Sequence, residues 1–178
     1  MKIRWQRLNL YLVMALAVVM FGGCKSAEER KSKKLLATFR LHLEGRRDGT
    51  KTTEVVPIYR ASPVMVRIEK VPFIDEGHVS TAQVIDVVGG FALQIQFDHR
   101  GTGLLEECTT VNRPSRAAIF CQFGEDLKEQ RWLAAPVLSR RITDGILTFT
   151  PDTTREEAQE IAQGLNNVSK KVHTWIDR

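Results

Sequence analysis

Apolar and polar residues alternate most strictly from Phe91 to Phe97, where Phe91, Leu93, Ile95 and Phe97 interleave with Ala92, Gln94 and Gln96. A period of two puts the first set on one face of a strand and the second set on the other. Gly89-Gly90 predicts a tight turn before it, and Val79 to Val88 the antiparallel partner. Leu36 to Glu44 alternates in the same way, with Phe39, Leu41 and Leu43 opposite Arg40, His42 and Glu44. Shorter strands are expected at Glu54 to Tyr59 and at Val64 to Lys70, the second facing Val64, Val66 and Ile68 inward. Pro57, Pro63 and Pro72 keep these strands short or at a sheet edge. Asp48-Gly49 within Gly45 to Thr53 is a hairpin signal, and Asp75-Glu76-Gly77 turns the chain again. Arg116 to Phe123, Trp132 to Leu138 (interrupted by Pro136) and Gly145 to Phe149 complete the predicted strands.

Two segments switch to helical period. Asp98 can cap a helix running to about Asn112 with Leu104, Cys108 and Val111 on one face, and Pro114 prevents its continuation. Thr154-Arg155-Glu156-Glu157 is a capping box, after which Ala158, Ile161, Ala162, Leu165 and Val168 recur at helical spacing. Hairpin-paired strands with two separate helices predict an α+β domain: an antiparallel sheet with two helices packed on one face, preceded by N-terminal strands.

The first residues follow a different pattern. Met1 to Arg7 is basic, and Leu10 to Phe21 is an uninterrupted apolar run ending in Gly22, Gly23 and Cys24. Twelve helical residues rise about 18 Å, short of a hydrocarbon core of roughly 30 Å, so a signal-peptide hydrophobic region fits better than a spanning helix. The small residues before a cysteine resemble the lipobox of bacterial lipoproteins, in which the chain is cut before the Cys and the Cys is lipidated. That resemblance implies residues 1–23 as signal, acylated Cys24 as an anchor in the lipid bilayer, and an envelope location facing the periplasm. Lys25 in place of the Asp that retains many such proteins at the inner membrane favours the outer one. Residues 24–34 (Cys24, then KSAEERKSKK) form a charged tether, solvated or touching anionic head groups, and 35–178 the single folded domain.

Charge changes the picture only once it is located. The chain has 26 Lys and Arg against 21 Asp and Glu. From Leu35 onward the balance is 18 basic against 19 acidic. A duplex binder needs Lys and Arg clustered to neutralise phosphates, and a body without that overall surplus is not expected to take nucleic acid as a partner. Candidate chemistry is equally sparse. His42, His78, His99 and His173 are scattered, no C-x-x-C or H-E-x-x-H occurs, and Glu106-Glu107 and Glu156-Glu157 point apart on helices. No metal or cofactor and no enzymatic activity is therefore expected. Cys108 and Cys121 read as buried thiols or, in an oxidising envelope, as a disulfide pair.

From Val79 to Val168 the order of motifs resembles the head subdomain of the periplasmic domain of SecD, a protein-export accessory family. The matching pieces are the Phe91–Phe97 strand with Gly101 in the following helix, Ala118 to Gly124, Ala134-Ala135-Pro136-Val137-Leu138, the Ile142 to Gly145 turn, and the Thr154 to Leu165 helix. The resemblance implies a non-catalytic domain that binds another protein, either in an assembly role or by contacting exported or unfolded polypeptide. SecD couples export to the proton gradient through transmembrane helices, and no such apolar segment follows Cys24 here. An unrecognised envelope enzyme is the third reading. Trp132, placed by the pattern at the start of a strand after the charged Glu125 to Arg131 loop, is the candidate partner contact, the alternative being that it packs under that loop.

Overall fold

β-branched and aromatic residues at alternate positions build ten short strands among the residues described by the computed structural model, which are 32, 34–45, 51–111 and 115–176. β1 (Thr38–Leu43), β4 (Ile74–Asp75), β7 (Ser115–Phe123) and β8 (Glu129–Ala134) lie in the order β4-β1-β7-β8, and β9 (Val137–Leu138) joins the start of β7. β5 (Val79–Val87), β6 (Gly90–Phe97) and β10 (Ile146–Phe149) form a second sheet in the order β10-β6-β5. β2 (Thr53–Ile58) and β3 (Val64–Glu69) pair only with each other. Every pairing is antiparallel. The architecture is α+β, as expected, with its strands divided among three sheets in the described residues.

A helix labelled α1 (His99–Val111) begins where Asp98 Oδ1 accepts the Gly101 amide at 2.6 Å. Its buried side is Gly101, Leu105, Cys108 and Thr109, rotated from the expected Leu104–Cys108–Val111 stripe. Val111 is 74% exposed, because Thr109 turns inward and its hydroxyl bonds the Leu105 carbonyl and accepts the Ile142 amide. The second helix, α2 (Arg155–Ile176), carries the predicted capping box: Thr154 Oγ1 accepts the Glu157 amide at 3.2 Å and Glu157 Oε2 accepts the Thr154 amide at 2.9 Å. Ala158, Ile161, Ala162 and Leu165 are buried along it. Gly164 lets the helix touch the chain entering β1, since a Cβ there would stand 2.8 Å from the Ala37 nitrogen.

Two apolar cores result. The larger joins Phe39 and Leu41 of β1, Leu93, Ile95 and Phe97 of β6, Ile119 and Cys121 of β7, Leu133, Leu147 and both helices. The smaller lies beneath the β2–β3 hairpin, where Val56, Ile58, Val66 and Ile68 meet Ala118 and Ala135. Val64, expected inward, is exposed. The predicted Trp132–Leu138 strand is two strands, parted at Ala135-Pro136 because proline supplies no ladder N–H. β8 starts at Glu129, so Trp132 sits within the strand, and the expected charged loop shrinks to a 3-10 turn at Glu125–Leu127. Asp48-Gly49 and Pro114 lie outside the described residues.

Candidate contact surface

Trp132 is half-buried on the face of β8 that the hairpin partly covers, packed against the smaller core. Its ring lies 5.0 Å from Phe120 and meets His42 edge-on at 5.3 Å. The three rings are neighbours because β1, β7 and β8 align: Phe120 pairs with Trp132 and His42 with Ala118. A shallow cleft of about 490 Å³ opens beside them, rimmed by Arg40, Glu54, Lys70 and Gln130. Trp132 thus packs against Phe120, His42 and the smaller core rather than under the Glu125 to Arg131 segment, and its remaining surface lines the open cleft. His42 is 7% exposed and its Nδ1–H donates to the Glu69 carbonyl at 2.9 Å. Burial lowers its pKa from the ordinary 6.5, outweighing the Glu69 carbonyl and the Glu54 charge that favour the proton.

A charged network ties the hairpin tip and β8 to the start of α2. Tyr59 adopts a left-handed φ of 68°, and the next residue, Arg60, donates its amide to Asp152 Oδ2 at 2.8 Å and its Nε to the same oxygen at 3.2 Å. Arg131 donates to Glu157 Oε2 at 2.9 Å and to the Asp152 carbonyl at 3.3 Å, with its guanidinium over Phe123. Partial burial pushes the Asp152 pKa up, but hydrogen bonds from Arg60 and the Arg60 and Arg131 charges hold it below the usual carboxylate value. The Arg131 hydrogen bond does the same for Glu157.

The sheet edges are the second feature of the surface. The outer edge of β5 is closed by α2: Asn166 Oδ1 accepts the Ala82 amide and its Nδ2 donates to the Ala82 carbonyl, each at 2.8 Å, and Ser169 Oγ donates to the Ser80 carbonyl. On β8 the Leu133 carbonyl is taken by the Asp152 amide at 2.7 Å. β3 is bonded at its outer side by the Gly45 amide, and β2 carries Pro57, which cannot donate. β10 differs. Gly145 and Phe97 form a hydrogen-bonded pair, so in an antiparallel ladder Leu147 and Phe149 also face β6 while Ile146 and Thr148 turn their backbone groups outward. Asp144 Oδ1 takes the Ile146 amide at 3.0 Å. The Thr148 N–H and the Ile146 and Thr148 carbonyls face a groove of about 580 Å³, whose far wall is the segment Pro136 to Asp144. Ile142 and Arg141 pin that wall to α1, through Thr109 Oγ1 and a Glu106 ion pair.

Covalent chemistry has little to stand on in this arrangement. Cys108 and Cys121 are buried and not joined in a disulfide, and burial pushes the Cys121 thiol far from its reactive anionic form. His78 Nδ1 is 2.8 Å from Asp75 Oδ1, an exposed contact between neighbours in one turn. Among the described residues no three His, Cys, Asp or Glu side chains are grouped to hold a metal, and no helix is long and apolar enough to cross a membrane. Cys24 lies outside the described residues. Sequence reasoning missed the β10 groove; its local sign was a short strand with Arg140-Arg141 upstream, which alone says nothing about an open edge.

No family model and no curated protein sequence matches this chain. Solved structures do. At 18% identity and a TM-score of 0.53, 82% of the chain superposes on 69% of a structure of SecDF, described as a membrane component that enhances protein export. At 18% identity and a TM-score of 0.55, 82% of it superposes on 21% of SecDF in a super-membrane-facing form. The chain therefore spans about a fifth of the longer of these two SecDF chains. The likeness is one of fold, and the fold is SecD-like.

Proposed function

We propose that this SecD-like domain belongs to a lipid-anchored, non-catalytic protein of the cell envelope that assists protein translocation by holding extended polypeptide. The observation that carries the reading is the open edge of β10. An edge strand with free N–H and C=O groups accepts an extended chain as an additional strand, because the backbone bonds are independent of the incoming sequence. The edges of β5, β8, β3 and β2 each meet a side chain, a loop or a proline, and β10 differs from them. Fold likeness alone does not assign function; together with the open edge it favours a role in export of the kind described for SecDF. Acylated Cys24 provides the anchor in this reading, since several acyl chains at about 0.8 kcal/mol per buried CH₂ hold a protein at a bilayer stably. Trp132 provides a second contact for the bound polypeptide.

The test uses a reduced, alkylated and permanently unfolded fluorescent protein, titrated with the purified chain and followed by anisotropy. Thr148→Pro removes an outward N–H without breaking the β6 ladder, and the loss of one such bond weakens binding about tenfold. Equal binding by Thr148→Pro and the unaltered chain would remove β10 as the site. No binding by either would end the polypeptide reading and leave an assembly role. Separately, Cys24→Ser is expected to release the protein from membranes, and membrane fractionation unchanged by that substitution refutes the anchor.

A further inference from the structure

The β2–β3 hairpin buries one face and leaves the other bare. Val55 pairs with Arg67, Pro57 with Met65 and Thr53 with Glu69, so these six side chains share the outward face, and Lys51 and Val71 continue its parity beyond the strand ends. Val55 is 45% exposed, Met65 63% and Val71 77%, and Tyr59 and Val64 are exposed near the tip. Five of the nine large apolar side chains left in solvent among the described residues fall in this one segment. The charge is uneven in the same place. Residues 45–71 contain six basic and three acidic residues, whereas the rest of 35–178 contains twelve basic and sixteen acidic.

We propose that this outward hairpin face docks on the anionic surface of a lipid bilayer, an inference that rests on the Cys24 anchor proposed above. Apolar side chains flanked by Lys51 and Arg67, against the carboxylate of Glu69 on the same face, suit an interface of acyl chains beneath phosphate head groups. Val55, Pro57, Met65 and Val71 enter the acyl boundary, and Lys51 and Arg67 remain level with the phosphates. Size argues against a protein in that position. Two strands of six residues present a face of roughly 20 Å by 10 Å, while a specific protein interface needs about 800 Å² on each partner. A bilayer demands no such matched area. The tether closes the argument: residues 25–34 reach at most about 35 Å when extended. A patch held that near a membrane works at high effective concentration, so a weak contact suffices.

The experiment labels Met65→Cys in the full chain, purified from membranes, with a polarity-sensitive fluorophore. The protein is reconstituted into phosphatidylcholine vesicles with and without phosphatidylglycerol. The expected result is a blue shift, and quenching by spin-labelled lipid, that require phosphatidylglycerol. A label at Val88→Cys, an exposed valine on the other hairpin, should show neither. Lys51→Ala, a change at an exposed side chain, should lower the docked-to-undocked ratio about fivefold, the effect of one cation near an anionic leaflet. Equal emission from the Met65→Cys label with and without vesicles overturns the docking. So does a shift that needs no lipid and grows with protein concentration or with added unfolded polypeptide, which assigns the face to a second copy or to a polypeptide. The chain without an introduced cysteine separates the two readings. Dye uptake at Cys24 means the anchor is absent and takes this inference with it, whereas no uptake with an unshifted Met65→Cys probe leaves the anchor standing and refutes the docking alone.

Discussion

Asn166→Ala tests the way α2 closes the edge of β5. The Asn166 amide copies a neighbouring strand, accepting from the Ala82 N–H and donating to the Ala82 carbonyl at 2.8 Å each. Ala82 is 5% exposed, so both backbone groups lose their partner in a place that water reaches poorly. Two lost hydrogen bonds at about 1 kcal/mol each, raised by the desolvation of groups left unsatisfied, give an expected loss of about 2–4 kcal/mol. Urea unfolding followed by circular dichroism measures it as a lower midpoint at constant slope. Asn166→Asp sharpens the argument. Its carboxylate can accept from the Ala82 N–H but repels the Ala82 carbonyl, and only the protonated acid restores the donor. Folding therefore raises the pKa of that acid. Stability in Asn166→Asp is then fullest below the unfolded-state pKa and is lost as pH rises through the raised folded value. A loss below about 1 kcal/mol for Asn166→Ala, or a pH-independent Asn166→Asp, would show that the helix does not serve as the missing strand.

Leu93→Ala and Ile161→Ala, both in the larger core and nearly inaccessible, should each cost about 2–5 kcal/mol; the double variant, measured in the same unfolding assay, should be non-additive if the two side chains touch. Asp152 and Glu157 have lowered folded pKa values, so their contribution is present above the unfolded carboxylate range and is lost as pH falls through the lowered values; Glu157→Gln should flatten that acid limb in a pH series of melting curves. The lowered pKa of His42 makes stability fall as pH drops from above 6.5 toward its folded value, and His42→Gln should remove that slope. Trp132→Ala should weaken capture of unfolded polypeptide; capture lost with an unchanged melting curve supports a contact role, and parallel losses of both return the residue to the smaller core.

What was legible in the sequence lies between near neighbours. The Thr154–Glu157 capping box, the Asp98 cap and the β5–β6 hairpin around Gly89-Gly90 each join residues within a few positions, and all three stand in the structure as the pattern predicts. The burial of Leu93, Ile95 and Phe97 follows from strand period alone, and the order of such elements was enough to suggest a SecD-like fold. What the pattern could not contain depends on segments far apart in the chain. Val111 is exposed because Thr109 faces inward to meet Ile142, and Trp132 is half-buried because a hairpin some seventy residues earlier folds over it. An edge is open or closed according to what another element does to it. Asn166 reaches back 84 residues to close β5, Asp152 bonds Leu133 on β8, and among the described residues no comparable group reaches the Thr148 backbone. Periodicity records which side of a strand meets apolar surroundings, because side chains alternate with the backbone. It is silent on the hydrogen-bonding edge, because N–H and C=O groups are the same at every residue and only tertiary packing decides which of them find a partner.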